Sequence, residues 1–419
     1  MLPGKLISFR RCAFCAFALV SSVDWARADF LDDANRMLSL SNANNSFYLR
    51  LSGLLDLEGY YLDQPAPGLI VTNNNFLFNP RLTIFVDARW SNYLYFFGQV
   101  RLDRGFDPSD NGAQVRFDEY FLRYKPFGNA RLNFQIGKFA TVVGNWVPRH
   151  YSWDNPFVTA PLPYENLTGI WDIAAPEDVE ELLYWGHVTG YDSMDYSDKY
   201  LRLPIIWGPS YASGVAVSGA IDKFDYAAEM KNSALASHPE SWDATQIGFS
   251  HPTFSGRVGF RPNEMWNMGM SVSSGCYLLP QAAGSLPRGN NIGDFREKVL
   301  AQDISFAWHH LQLWAEVYET RFEVPRIGNA DTLAYYVEGK YKITPQLFVA
   351  LRWNQQLFGT VPAGEEQVQW GNDVWRVDAG LGYRFTYYLQ GKLQYSFTRV
   401  RGDASIGEQL LAAQLTLKF

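Results

Sequence analysis

The sequence predicts an all-β fold: an antiparallel transmembrane β-barrel of about 16 strands, with short periplasmic turns and long extracellular loops. Three observations predict it. Apolar residues fall at every second position in one stretch after another, the mark of strands with two unlike faces. The positions between them carry charge, where the core of a soluble sandwich would be apolar. Short and long connections between these stretches alternate strictly.

The last stretch is the plainest. Residues 408–419 read EQLLAAQLTLKF, with Leu411, Ala413, Leu415, Leu417 and Phe419 on one face and Ala412, Gln414, Thr416 and Lys418 on the other. In a soluble sheet an exposed apolar edge strand invites aggregation. Paired back onto the first strand, with its apolar face toward lipid, it closes a barrel instead. It resembles the terminal strand of bacterial outer-membrane proteins, whose final aromatic helps the barrel-assembly machinery recognise them.

Composition agrees. Charged residues are 19% and aromatics 16% of 419 residues, against about 25% charged in soluble domains. Lys5, Arg10 and Arg11 precede an apolar run from Cys12 to Val20, and Ala26-Arg27-Ala28 has the form of a cleavage site. Residues 1–28 are therefore predicted to be a secretory signal peptide. After residue 28 no apolar run reaches the roughly 18 residues of a membrane helix. A mature chain in a membrane must then close as a barrel, since lipid satisfies no free backbone groups. Removing the signal takes away four basic residues and one acid, moving the net charge from −7 to −10. That speaks against nucleic acid as a partner. Of three cysteines only Cys276 remains, predicted to be buried and inert.

In chain order, residues 29–46 read as a short periplasmic lead or weak helix, and 47–419 as the barrel. The first strand sets Leu49, Leu51, Leu55 and Leu57 against Arg50, Asp56 and Glu58; the second sets Leu82, Ile84 and Val86 against Arg81, Asp87 and Arg89. The third sets Phe96, Val100 and Leu102 against Gln99, Arg101 and Asp103. The fourth, 114–124, switches phase near Glu119, which predicts a bulge. The fifth carries Leu132, Phe134 and Ile136. After an insertion at about 140–211, five hairpins follow at 214–231, 254–274, 300–320, 332–355 and 375–399, and then the terminal strand. Long loops are expected at 58–80, 104–112, 140–211, 232–253, 277–298, 321–331, 356–373 and 400–408. A further strand at 244–251, given a partner, raises the count to 18. Aromatics such as Trp90, Tyr93, Tyr124, Phe127, Tyr341, Tyr387 and Tyr388 sit at strand ends, as interfacial girdles require.

One hairpin carries a more specific likeness. Residues 117–144 read FDEYFLRYKPFGNARLNFQIGKFATVVG, and the Asp-Glu-Tyr-Phe-Leu-Arg-Tyr strand followed by Gly137-Lys138-Phe139 and Gly144 resembles the phosphate-selective porin family. The segment lacks the proline usual there, and the match covers about 30 residues. The resemblance implies a 16-stranded, often trimeric, outer-membrane channel for small anions or other small solutes. It does not carry over the family's phosphate-binding residues.

A water-filled pore selects by its narrowest ring and the charges lining it. The predicted wall cations are Arg50, Arg81, Arg89, Arg101, Arg116, Arg257, Arg352, Arg376, Arg384 and Lys392, interleaved with acids such as Asp56, Asp118, Glu316, Glu338 and Asp378. Such a mixed wall predicts weak charge selectivity. Within the insertion, residues 176–186 have a helix's proline, acids and closing glycine in place. If the insertion folds inward, Glu177, Asp178, Glu180 and Glu181 would face the wall arginines and form a constriction; the alternative is a loop lying outside the pore. The expected function is a passive outer-membrane channel for small polar or anionic solutes, not an enzyme, with membrane lipid, small solutes and further copies in a homotrimer as partners. No cofactor or metal is expected. Asp192, Asp195 and Asp198 lack the spacing of a calcium loop, and His309-His310 reads as a plain turn. A structural or polysaccharide-export barrel is the main alternative. An outer-membrane hydrolase is a weaker one, because no motif surrounds His187, His238 or His251.

Overall fold

The computed structural model describes residues 37–419 apart from 45, 106–107, 111, 188–198, 200, 240–247 and 402–406. The predicted signal peptide, the acids Asp192, Asp195 and Asp198, and the first half of the candidate extra strand, 244–247, lie outside these residues. Sixteen strands form the barrel: β1 Phe47–Leu62, β2 Phe76–Trp90, β3 Leu94–Asp103, β4 Gln114–Tyr124, β5 Asn133–Phe139, β6 Ala212–Ile221, β7 Phe224–Lys231, β8 Thr253–Phe260, β9 Trp266–Cys276, β10 Arg296–Trp308, β11 Leu311–Val324, β12 Gly328–Lys342, β13 Leu347–Phe358, β14 Val374–Arg384, β15 Leu389–Val400 and β16 Gly407–Lys418. Each pairs antiparallel with the next, and β16 pairs with β1.

The closing seam runs from Leu410 opposite Leu62 to Lys418 opposite Leu54. Phe419 completes it. Its N–H donates to the Gly53 carbonyl at 3.0 Å, and the Gly53 N–H donates back at 2.9 Å. Its ring occupies the space a side chain at position 53 would need, so glycine is required there. β1 continues past Phe419, and its edge would be left unpaired. Ser39–Ser41 fills that edge, pairing with Tyr48, Leu49 and Arg50. The predicted lead is thus in part a strand, because a free ladder edge was waiting for it.

The faces are inverted relative to a soluble sheet. Leu57, Ile84, Phe96, Leu122, Val258, Val272, Val337, Leu351, Leu393 and Leu411 are exposed on the outside. Asp56, Thr83, Gln99, Arg116, Asp118, Glu316, Glu338, Arg352, Asp378, Gln394 and Thr416 are buried on the inside. Trp90, Tyr93, Tyr124, Phe127, Trp308, Tyr341 and Tyr387 are exposed at the short-turn rim, the girdle that an interface calls for. The predicted phase switch is a bulge: Gln99 pairs with Glu119 and Val100 with Phe117, leaving Asp118 as the extra residue. It turns both Asp118 and Glu119 into the interior, where each finds a partner.

The insertion falls between β5 and β6, at 140–211 as predicted. Other connections are shorter than expected. β1 and β2 stay paired out to Tyr61 and Phe76, and β11 and β12 reach Val324 and Gly328. Pro80 is the one residue of these stretches without an N–H to donate, and it lies where β2 pairs with β1 alone, so the strands continue past the apolar belt. The connection after β13 contains a small hairpin, Thr360–Ala363 with Glu366–Gln369. Helix α1, Val179–His187, lies in the insertion at the long-loop end. Its Leu182 packs in a cluster with Leu203, Trp207, Phe322, Val324 and Trp370. Cys276 is buried in the same cluster as a free thiol.

Candidate functional site in the barrel lumen

The insertion enters the lumen directly after β5. Gly144, at φ +79°, makes the turn; a side chain there would meet the Tyr318 and Tyr164 hydroxyls. An irregular chain away from bulk water must satisfy its own backbone groups. Here the inward side chains of the wall do so. Glu229 accepts from the Thr141 hydroxyl at 2.7 Å and the Val142 N–H at 3.3 Å. Glu316 accepts from the Asn145 N–H, from the Trp146 N–H at 2.8 Å and from the Tyr164 hydroxyl at 2.8 Å. Gln394 accepts from the Val158 and Thr159 N–H groups at 2.6 and 3.1 Å, and Asn354 from the Leu162 N–H at 3.2 Å.

Carbonyls of the segment are held by wall cations. Lys392 donates to the carbonyls of Ser152, Asn155 and Phe157 at 2.7, 3.0 and 3.0 Å. Arg352 donates to those of Thr159 and Ala160 at 3.2 and 3.0 Å. Charged groups reach outward from the segment as well. Arg149 donates to Glu338 at 2.5 Å and to the Tyr336 hydroxyl at 3.0 Å, with its guanidinium 4.4 Å from the Trp314 ring. Glu165 pairs with Arg376. Tyr151 donates to Gln99 at 2.7 Å. Residues 141–166 are thereby tied to β3, β7 and β11 through β15.

Most predicted wall cations are paired with carboxylates. Arg81 meets Asp56 at 3.2 Å and Glu58 at 2.6 Å. Arg101 meets Asp118 at 3.0 Å, and Arg116 meets Asp103 at 2.6 Å and Asp118 at 3.2 Å. Arg257 bridges Asp225 and Asp303 at 3.0 and 2.6 Å. Arg352 bridges Glu338 and Asp378 at 3.3 and 2.7 Å, and Arg376 adds Asp378 at 3.0 Å. Arg50, Arg89 and Arg384 stand instead near the short-turn rim, Arg89 over the Tyr48 ring and Arg384 over the Trp153 ring.

The acids of the insertion do not join this network. Glu177, Asp178 and Glu180 are exposed and Glu181 half-buried, and none forms an ion pair with a wall arginine among the described residues. They cap their own helix: Asp178 accepts from the Glu181 N–H at 2.9 Å, and Glu181 from the Glu177 N–H at 2.6 Å. The apolar side of α1 faces the long-loop cluster, which leaves its acids to solvent. The loop acid that reaches a wall arginine is Glu165. Arg149 and Glu165 were the missed residues; their signal is charge in an otherwise aromatic and proline-rich stretch, 145–166, which carries only Asp154 besides them. His309-His310 do form a turn, with His309 at φ +49° and His310 Nδ1 paired to the Lys342 carbonyl at 3.0 Å.

On the side of β1, β2 and β3 the segment leaves a gap. This cavity of about 130 Å³ is lined by Asp56, Arg81 and Arg101 on the wall and by Tyr151, Asn155, Tyr164 and Glu165 on the segment. Both signs of charge border it.

No protein-family model matches the chain, and no curated protein sequence does. Solved structures match the fold. OmpF of Salmonella typhi in complex with daunomycin shares 14% identity, with 91% of this chain and all of that one covered at a TM-score of 0.56. The anion-selective porin of Comamonas acidovorans shares 11%, covering 89% and 100% at 0.55. The trimer form of OmpT, an outer-membrane protein of Vibrio cholerae, shares 12%, covering 89% and 100% at 0.52. The fold is thus the closed barrel of bacterial outer-membrane porins.

Proposed function

We propose that the chain is an outer-membrane porin, a passive diffusion channel for small polar or anionic solutes. The insertion narrows it, and the path runs through the cavity between residues 151–165 and the wall of β1 to β3. One observation carries this reading: the segment is bonded to most of the wall yet leaves a gap beside Arg81 and Arg101. A lumen crossed in this way suits small solutes better than a polymer. Because the waist cations stand within 3.3 Å of carboxylates, a passing ion meets dipoles more than net charge, and selectivity is weak. The trimer form of OmpT supports a homotrimer here. Planar-bilayer recording of the refolded protein in a salt gradient tests the reading. Steady ohmic steps with a reversal potential near zero are expected. A reversal potential close to the Nernst limit for one ion would overturn the weak selectivity, and an absence of steps would overturn the channel.

A further inference from the structure

The lumen segment supplies one edge of the cavity, and the connection between β1 and β2 supplies another. Leu69 and Ile70 of that connection line the cavity together with Phe157 and Val158 of the segment. Ile70 is buried with the inward-facing Tyr60, Leu62, Leu77 and Leu410, and Val158 packs against the same cluster. Residues 66–70 therefore fold inward over the wall. Beyond them the chain is tied to the connection after β3: the Val71 N–H donates to the Pro108 carbonyl at 2.9 Å, and the Thr72 hydroxyl to Asp110 at 2.7 Å.

An irregular turn brought inside needs partners for its carbonyls. One ammonium meets three of them. Lys199, buried in the returning leg of the insertion, donates to the carbonyls of Ala66, Gly68 and Ile70 at 2.5, 3.0 and 2.7 Å. Lys392 does the same for Ser152, Asn155 and Phe157. The cavity thus has two turns on its border, each gathered round a lysine from elsewhere in the chain. Their carbonyls are drawn to the ammonium, and apolar side chains are left to face the cavity: Leu69 and Ile70 from one turn, Phe157 and Val158 from the other. The wall brings the charges of Asp56, Arg81 and Arg101.

We propose that the 66–70 turn is a specificity-determining lip of the passage, with Lys199 as its positioning residue, and that it favours small dipolar solutes carrying an apolar group. The inference rests on the channel reading, whose path the turn borders. The paired charges of the wall meet the dipolar end of such a solute. Leu69 and Ile70 meet its apolar group, and removing that surface from water at the narrowest point lowers the barrier to passage. A passage lined by polar groups alone would pass solutes of equal size alike.

The test measures swelling of liposomes holding the full chain, in leucine and in asparagine, zwitterions of nearly equal size whose side chains differ in polarity. Leucine entering about two- to five-fold faster is expected, as partial burial of one isobutyl group supplies. Leu69→Asn keeps the bulk and leaves Lys199 in place; it should make the two rates equal. Lys199→Met fills the space of the ammonium's stem and leaves three carbonyls without partners; it too should make them equal. In Lys199→Ala, added methylammonium can stand where the ammonium stood and should restore the wild-type difference, while the methionine variant should not respond. Heat-modifiable gel mobility confirms folding of each. Equal rates in the wild type, or a difference that survives Leu69→Asn, would overturn the lip. A difference that survives Lys199→Met, or an alanine variant that methylammonium does not restore, would overturn the positioning role. No swelling in either solute would overturn the channel reading, and the lip with it.

Discussion

Replacing Lys392 separates a held lumen segment from a merely adjacent one. Its buried ammonium donates to three carbonyls of residues 152–157. In Lys392→Met the apolar chain fills the space and leaves those carbonyls without partners. Three orphaned acceptors cost about 3–9 kcal/mol together. Relief of the ammonium's own desolvation offsets several kcal/mol, leaving a net loss of about 1–4 kcal/mol. In Lys392→Ala the vacated volume holds waters, which can bond the same carbonyls. The methionine variant should therefore loosen the segment more than the alanine variant, although alanine removes more atoms. Single-channel noise and protease cleavage within 145–166 read this out, with gel mobility confirming an intact barrel. Alanine disturbing the segment more than methionine would refute the reasoning, because bulk rather than bonded carbonyls would then be what Lys392 supplies.

Other outcomes follow from the same geometry. Gly144→Ala places a side chain against the Tyr318 and Tyr164 hydroxyls at a positive φ; a loss of about 1–3 kcal/mol, seen as earlier cleavage of the segment, is expected, and unchanged cleavage would contradict it. Burial pushes the Asp172 carboxyl, in the insertion, up to about 7, with Oδ1 unpartnered. Its stabilising contribution is complete below the unfolded value of about 4 and is lost as pH rises through about 7. Amide exchange over 168–186 should gain protection at about pH 5 relative to about pH 8, and Asp172→Asn should remove the difference. Deleting Phe419 takes away two backbone bonds and the ring over Gly53; slower refolding at the seam is expected, and wild-type refolding kinetics would count against its closing role.

How legible the fold was depended on what each feature leaves in the side chains. Alternation exposed the inverted faces, the bulge at Asp118 and the limits of the insertion, because each is written in side-chain type. The strand extensions at 58–62 and 321–324 were read as loop, since a ladder above the belt no longer needs apolar residues outside. Pairing alone, as for Arg352 with Asp378 one strand away, was within reach of the pattern. The lumen segment was not, because Gln394, Lys392 and Glu316 bind backbone N–H and carbonyl groups more than 150 residues distant, and backbone groups have no sequence signature. The acids of α1 misled for a related reason. Charge at a helix start marks capping as readily as a pore, and the apolar Leu182 and Trp185 decided which way the helix turned.

We propose that residues 141–166, bonded to the inward face of the wall, set the width of the passage through the barrel. Single-channel conductance of a variant lacking 150–200, compared with the wild type after both pass the folding check, tests it most directly. A conductance several-fold higher is expected. An unchanged conductance would contradict it.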